Sequence, residues 1–373
     1  MILGWIVIVF LLAYGFLFFY FKRGWKLLPE FVSTTDNKPT FISVVIAARN
    51  EEENISGLLT SLAQQSYAKE SFEIIVVDDF STDATATVIR QAALSNLVLI
   101  RPQVSERVSS KKKAIESGIQ MARGELIVTT DADCIVPPTW LQATNDFYVR
   151  NDASFIGAPV RFSHDLSLLQ VFQSLDFLVL QGITAAGAGN RYHAMCNGAN
   201  LAYKKQAFIS VGGFAGIDKI ATGDDMLLMH KIRKRYPDNV FYLKSKDAMV
   251  TTAPMRTWKD FFMQRKRWAS KSLIYDDYRM IALLAFVYVF NCLFFVLLAA
   301  CFFKPVYGLY AVGFLLLKTA IEWPFVRAVA RFYEEQKLMK YFLFFQPLHI
   351  FYTVVVGLLS QSGAYRWKGR TTK

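Results

Sequence analysis

Two stretches of the chain carry no charged residue and are long enough to cross a bilayer, Met1 to Phe21 and Met280 to Phe303. A spanning helix needs ~20 apolar residues, so both predict membrane spans. Pro305 to Val326 predicts a third, interrupted by Lys318 and Glu322, and Tyr341 to Ser360 a fourth, with Gln346 and His349 as its polar positions. Lys318 and Glu322 stand at the spacing of neighbours on one helix face, which predicts an ion pair turned toward other helices.

Between the first and second spans the pattern changes, over about 250 residues, enough for one sizeable core or two small ones. Phe41 to Ala48 is a continuous β-rich run, and Glu52 to Gln64 then places apolar residues at helical spacing. The unit recurs as strand Phe72 to Val77 with helix Asp83 to Ala93, strand Leu97 to Ile100 with helix Lys111 to Met121, and strand Leu126 to Thr130. Such alternation predicts an α/β fold with a doubly wound, mostly parallel sheet, combined here with transmembrane helices. Asp165 to Thr184 predicts a largely apolar helix containing Gln170, Gln173 and Asp176, a candidate acceptor wall or membrane dock.

Ligands of such sheets bind beyond the carboxyl ends of the strands. Those ends are polar: Ala48 leads into Arg49-Asn50-Glu51, the second strand runs into Asp78-Asp79-Phe80-Ser81-Thr82-Asp83, and the fourth into Asp131-Ala132-Asp133. Acidic ends gathered at one edge repel unless a cation or a hydrogen-bonding ligand compensates them. Ala48, Asn50 and Glu51 are thereby candidates for contact with a donor substrate. Hard oxygen ligands such as Asp131 and Asp133 suit Mg²⁺ or Mn²⁺, which bridge phosphate oxygens. An isolated Asp-x-Asp is also a common turn.

Composition sharpens the membrane reading. The chain has 53% hydrophobic, 15% aromatic and 19% charged residues, which is greasier than an average soluble domain. Lys22, Arg23 and Lys26 follow the first apolar stretch, which predicts a retained anchor rather than a cleaved signal peptide. With Arg265, Lys266, Arg267, Lys271 and Arg279 before the second span, they predict that the middle region is cytoplasmic. Four crossings then place the basic tail, with Arg366, Lys368, Arg370 and Lys373, outside, against the same rule. The net charge of +12 concentrates beside apolar segments and points to lipid headgroups rather than nucleic acid. Cys134, Cys196, Cys292 and Cys301 are scattered without metal-ligand spacing, and His164, His193, His230 and His349 share none. The expected organisation is an anchor at 1–26, a cytosolic domain at 38–275, about three membrane segments at 280–362 and a basic tail at 363–373.

From Phe41 to Trp268 the motifs resemble, in order, those of the inverting family 2 glycosyltransferases with the GT-A fold. Val76 to Asp83 is similar to that family's VDDGSTD segment, with Phe80 where glycine is usual. The resemblance implies base recognition by Asp79, or by Asp78, and a diphosphate contact by Lys111, with Lys112 and Lys113 as neighbouring alternatives. Gly124 to Asp133 resembles the metal-binding strand, implying Asp133 as metal ligand and Asp131 as a metal or donor-sugar contact. Asp224-Asp225 falls on the Glu-Asp pair, implying Asp225 as general base, a role that a hydroxyl nucleophile requires. The same two residues suit a helix N-terminus. Cys196-Asn197-Gly198-Ala199-Asn200 resembles a small-residue segment between donor and acceptor sites, and also an ordinary turn.

Gln264-Arg265-Lys266-Arg267-Trp268 matches the family's Q-x-x-R-W motif without departure. The resemblance implies that Gln264 and Arg267 contact the donor, with Arg267 on the leaving diphosphate, and that Trp268 meets the acceptor. A basic amphipathic helix on the membrane reads the same residues. The implied protein is an integral membrane enzyme of the bacterial inner membrane. Its partners are a nucleotide sugar, with UDP favoured, a lipid or glycan acceptor, and the bilayer. The alternatives are a processive polysaccharide synthase, a non-catalytic scaffold and a transporter. Sugar, acceptor and oligomeric state are not encoded in these motifs.

Overall fold

The computed structural model describes residues 2–34, 37–102, 111–165, 167–218, 223–270 and 277–360, together with the backbone of 365–367 and 370–372. The chain divides into a sheet unit, Leu28–Ser163 with Arg191–Ala253, and a helical unit, Met1–Leu27 with His164–Asn190 and Pro254–Lys373.

In the sheet unit the expected alternation is present. Strand β1 (Ile42–Ala48) leads to helix α2 (Ile55–Ala63), β2 (Phe72–Asp78) to α3 (Thr85–Gln91), β3 (Leu97–Ile100) to α4 (Lys111–Met121), and β4 (Leu126–Thr129) to the short β5 (Cys134–Ile135) and α5 (Trp140–Asn151). Strands β6 (Phe155–Gly157), β7 (Val160–Phe162), β8 (Leu201–Lys204), β9 (Val240–Tyr242) and β10 (Val250–Thr252), with helices α7 (Lys205–Ser210) and α8 (Met226–Arg235), complete it. The main sheet runs β3-β2-β1-β4-β8-β6-β9, and β5-β10-β7 form a second one. Strands β3, β2, β1 and β4 are parallel, whereas β8 is antiparallel to both β4 and β6. Because helices cover the parallel strands, β1 and β2 are buried almost throughout, which is why they read as unbroken apolar runs. Val45, Ile75, Val77 and Ile127 pack against Ala114, Ile115 and Ile119 of α4 and extend to Phe155, Tyr203 and Phe208.

One consequence of this topology positions the site. Thr129 at the end of β4 pairs with Leu201 at the start of β8. The residues just after β4 and just before β8 therefore share one edge, and Thr130 Oγ1 donates to the Ala199 carbonyl at 2.8 Å there.

The helical unit contains α1 (Ile2–Leu27), α6 (Leu168–Gly189), α9 (Trp258–Ala269), α10 (Tyr278–Cys301), α11 (Val306–Phe332) and α12 (Phe342–Ser360). Among the described residues, five helices are long and apolar enough to cross a membrane: the four expected spans and α6. Helix α6 differs from the others, burying 61% of its apolar window inside the protein against 17–39% for the rest. At one end His164 meets Glu335, just past α11, at 3.0 Å, and at the other Asn190 Nδ2 donates to the Tyr20 carbonyl of α1 at 2.9 Å. The ends of α1 and α11 are themselves joined through Trp25 and Phe332, 5.7 Å apart. Both ends of α6 thus lie at one end of the unit, and the helix runs across it.

Helices α1 and α6 touch backbone to backbone. A Cβ on Gly24 would come within 2.0 Å of the Ala186 carbonyl, and one on Gly189 within 2.0 Å of the Gly24 carbonyl, so neither position admits a side chain. The expected pair on α11 is present: Lys318 Nζ lies 2.5 Å from Glu322 Oε1 and 2.6 Å from Gln346 Oε1 of α12, and the Tyr14 hydroxyl of α1 donates to Glu322. All four are buried, as polar groups in apolar surroundings must be when they satisfy one another.

Within the span 38–275, residues 164–190 and 254 onward group with the helical unit, because α6 and α9 bury their apolar faces on α1, α11 and α12. The basic tail contains two antiparallel strands, Tyr365–Trp367 and Arg370–Thr372.

Candidate active site

At the edge shared by β4 and β8, Lys111 is the central cation. Its Nζ lies 2.5 Å from Asp131 Oδ1 and 2.9 Å from Asp224 Oδ2. Burial alone would lower the lysine pKa, but the two carboxylates outweigh it and hold the ammonium well above its usual range. The three adjacent lysines are thereby told apart. Lys111 faces the acids, while Lys112, 1% exposed, donates to the Ile217 carbonyl at 2.6 Å and supports the loop after α7.

The Cys196-to-Asn200 segment is both a turn and part of this edge. The Asn197 side chain accepts from Ala199 N at 3.0 Å, closing an Asx turn, and Asn200 is fixed by Trp140, Pro159 and Ala248. Gly198 then faces the acids: a Cβ there would lie 3.3 Å from Lys111 Nζ, 3.5 Å from Asp224 Oδ2 and 3.5 Å from Asp225 Cβ. Asp225 caps α8, its Oδ1 accepting from Met226 N at 2.7 Å. Gly223 at φ +81° provides the left-handed turn that brings the pair there. Thr222 lies outside the described residues.

The acidic strand ends do not converge into one cluster. Asp78, 1% exposed, is held by Arg101 at 2.7 Å and accepts from Ser81 N at 3.0 Å. Asp83 receives the Thr85 N–H at 3.0 Å, and the Asn50 side chain receives Thr82 N at 2.9 Å. Glu51 N donates to Thr85 Oγ1, and Asp79 N to the Ala48 carbonyl, both at 2.8 Å. Ala48, Asn50 and Glu51 therefore tie the loops after β1 and β2 together, while Asp78 braces its own loop through Ser81. The repulsion expected between strand ends is relieved by Arg101 and Lys111, two cations distant in sequence from the acids they meet. Arg101 escaped the sequence reading because its only signal was a position one residue past a strand. Phe80, at the place of the usual glycine, takes φ +57°. Its neighbour Asp79 is pinned by Arg49, whose Nη1 donates to the Asp79 carbonyl at 2.7 Å.

Asp131 and Asp133 supply two hard oxygen donors in one turn, closed by Cys134 N on the Asp131 carbonyl at 3.2 Å. Among the described residues no group of three or more His, Cys, Asp or Glu could hold a metal ion. Two such carboxylates suit a hard divalent cation. Burial, and then Asp131 and Asp133, push the Cys134 thiol up, which keeps it protonated and out of the donor set.

The remaining motif lies in the helical unit. Thr257 caps α9, accepting from Asp260 N at 3.1 Å. Arg265, 4% exposed, sits 2.8 Å from Asp176 Oδ2 of α6, and its guanidinium stacks over Trp268 at 4.1 Å and Phe261 at 4.9 Å. Its Nη1 donates to the Gln264 side chain at 3.1 Å, and the Tyr352 hydroxyl of α12 donates to Asp176. Trp268 also packs against Phe177, 6.1 Å away. Arg265, a variable position of the motif, thus orients two fixed ones, Gln264 and Trp268. The sequence marked Asp176 only as a polar residue on an apolar helix. Lys271 lies outside the described residues.

A sequence model of the family described as Glycosyl transferase family 2 matches residues 43–212. Asp224, Asp225 and the Gln264-to-Trp268 motif lie beyond the match. The chain is 27% identical over 239 residues to a beta-monoglucosyldiacylglycerol synthase of Nostoc sp., covering 61% of this chain and 48% of that one. It is 37% identical over 100 residues to an undecaprenyl-phosphate 4-deoxy-4-formamido-L-arabinose transferase of Edwardsiella ictaluri, covering 26% and 30%. The chain spans between 30% and 54% of the length of these and similar curated relatives. Among solved structures, a mannosyltransferase of Pyrobaculum calidifontis in complex with GDP-Man and Mn²⁺ superposes with a TM-score of 0.59 at 18% identity, covering 96% of this chain and 98% of that one. This likeness is one of fold.

Proposed function

We propose that the chain is a member of glycosyl transferase family 2, whose model matches residues 43–212, and that it transfers a sugar from a nucleotide-sugar donor to a lipid or lipid-linked acceptor. The observation that carries the reading is the group Lys111, Asp131, Asp224, Asp225 and Gly198 at the carboxyl edge of the parallel strands, where open α/β sheets bind ligands. Two curated relatives whose names specify a glycolipid product and a lipid phosphate acceptor support the choice of acceptor.

The reaction is a single displacement with inversion. The acceptor hydroxyl oxygen forms a bond to the anomeric carbon as the bond from that carbon to the diphosphate breaks, and the hydroxyl proton passes to the Asp225 carboxylate. The Met226 N–H on Asp225 Oδ1 fixes the plane of that carboxylate. Lys111 exchanges its two acids for the donor diphosphate, whose negative charge offsets the bridge given up. Gly198 lets a sugar approach the backbone beside it. Asp131 and Asp133 would hold a divalent ion, which when bound neutralises charge on the departing nucleoside diphosphate. Asp79 is assigned to the base, and Gln264, Arg267 and Trp268 keep the donor, leaving-group and acceptor roles that the resemblance gives them. Lys22, Arg23 and Lys26 in the last turns of α1 support a cytoplasmic sheet unit on an inner membrane.

The test is to supply the purified chain with radiolabelled nucleotide sugars and native membranes, then partition the products. Label extracted into organic solvent is expected. Label in a large water-soluble polymer would instead mark a polysaccharide synthase, and no released nucleoside diphosphate with any donor would sink the enzyme reading.

A further inference from the structure

Helix α11 ends in two arginines that the catalytic reading does not use. Arg327 and Arg331 stand four apart and are exposed on one face, whereas Val326, Val329 and Ala330 on the opposite face are fully buried. With Trp323, Pro324 and Ala328 they line an open recess of about 380 Å³ on the surface of α11. Neither guanidinium has a hydrogen bond or ion pair with any described residue. Of the nearby acids, Glu322 is engaged by Lys318 and Gln346 and Glu335 by His164, and the exposed Glu334 also has a contact of its own.

Two permanently charged forks at helical spacing, open to the same recess, match the geometry of a phosphate. We infer that this recess binds the phosphate headgroup of an anionic bilayer lipid. The ligand comes from the bilayer rather than from solution because of where the recess lies. Helix α11 has membrane-spanning length and hydropathy. At 1.5 Å per residue both arginines fall within about 8 Å of its end, the depth at which arginines reach headgroups while their stems stay in the apolar layer. Trp323, 36% exposed and 6.1 Å from the ring of Phe342 at the start of α12, has the amphipathic character of an interfacial anchor. Lys337 and Lys340, exposed in the turn between α11 and α12, extend the basic rim. The inference does not rest on the proposed transfer reaction.

The experiment is native mass spectrometry of the full chain released from nanodiscs of equal phosphatidylglycerol and phosphatidylcholine. The wild type is expected to retain phosphatidylglycerol selectively, and the double variant Arg327→Gln, Arg331→Gln to retain it about 100-fold less tightly, the loss of two charge-assisted hydrogen bonds to a phosphate rather than of two general surface charges. Lys337→Gln with Lys340→Gln is the control for rim charge and should keep most of the retention. Thermal melting of each variant separates a binding defect from misfolding, since both arginines point away from the buried face. Equal retention by wild type and the arginine variant, or displacement of the lipid by millimolar inorganic phosphate, would overturn the assignment.

Discussion

Replacing Lys111 by methionine removes the cation shared by Asp131 and Asp224 while keeping most of the side-chain volume. At an effective dielectric of ~20, unit charges ~3 Å apart gain about 5 kcal/mol. Two corrections reduce that figure. The lysine side chain is 22% exposed and that of Asp131 37%, so solvent screens one arm, and burying the ammonium itself costs free energy. Exposed pairs contribute about 0–1 kcal/mol and broken buried pairs cost about 3–5, so a half-buried bridge is expected to contribute about 2 kcal/mol. For a unit of this size the melting temperature should fall by about 4–8 °C. The assay is differential scanning fluorimetry in detergent with chelator present. Because the folded-state pKa of Lys111 is raised, its contribution is complete below the unfolded value and is lost only as pH climbs through the higher folded one. The gap between wild type and variant should therefore stay constant from about pH 7 to 9. Added Mn²⁺ should raise the melting temperature of the variant more than that of the wild type, since the freed carboxylates repel each other. An unchanged melting temperature, or a gap that closes between those pH values, would refute the idea that Lys111 is held charged by its two acids.

Three further predictions address other parts of the chain. Asp225→Asn should abolish transfer but leave donor binding and melting temperature nearly unchanged, because asparagine caps a helix about as well as aspartate; normal turnover would remove Asp225 from the role of base. Burial, and then Arg233, hold the His193 pKa down to about 4. Between about pH 6.5 and 4 the unfolded chain binds a proton that the folded chain refuses, so stability should fall with falling pH by up to about 3 kcal/mol, and His193→Gln should flatten that slope in acid melts. Asp176→Asn leaves Arg265 buried without its counter-charge and should cost about 3–5 kcal/mol in detergent unfolding, with Arg265→Met added to it recovering part of the loss. Independent, additive costs in that double variant would argue against the pairing.

What the sequence revealed follows the reach of the interactions involved. Strands β1 and β2 were legible because burial on both faces writes a continuous β-branched run, and Lys111–Met121 because one apolar face recurs at helical spacing. The pairing of Lys318 with Glu322 was legible because both ends of it lie on one helix. Interactions between distant segments were not. Arg101 neutralising Asp78, the choice of Lys111 over Lys112, and the anchoring of Arg265 by Asp176 depend on which elements the topology brings side by side. Phe80 shows an intermediate case: the departure from glycine was visible, but its left-handed backbone, a cost of about 1 kcal/mol, became clear only with the Arg49 contact that holds the adjacent residue.

The glycine contact between α1 and α6 has a practical meaning for protein engineering. A first helix that merely tethered an enzyme could be exchanged for any hydrophobic leader or trimmed to improve solubility. Here Gly24 lies flush against Ala186 and Gly189, so an unrelated leader with an ordinary side chain at that height would wedge the two helices apart. A version shortened at residue 27 would expose a small-residue groove with no replacement lid. The first 27 residues are thus a fitted component, to be grafted only as a matched set with 164–190.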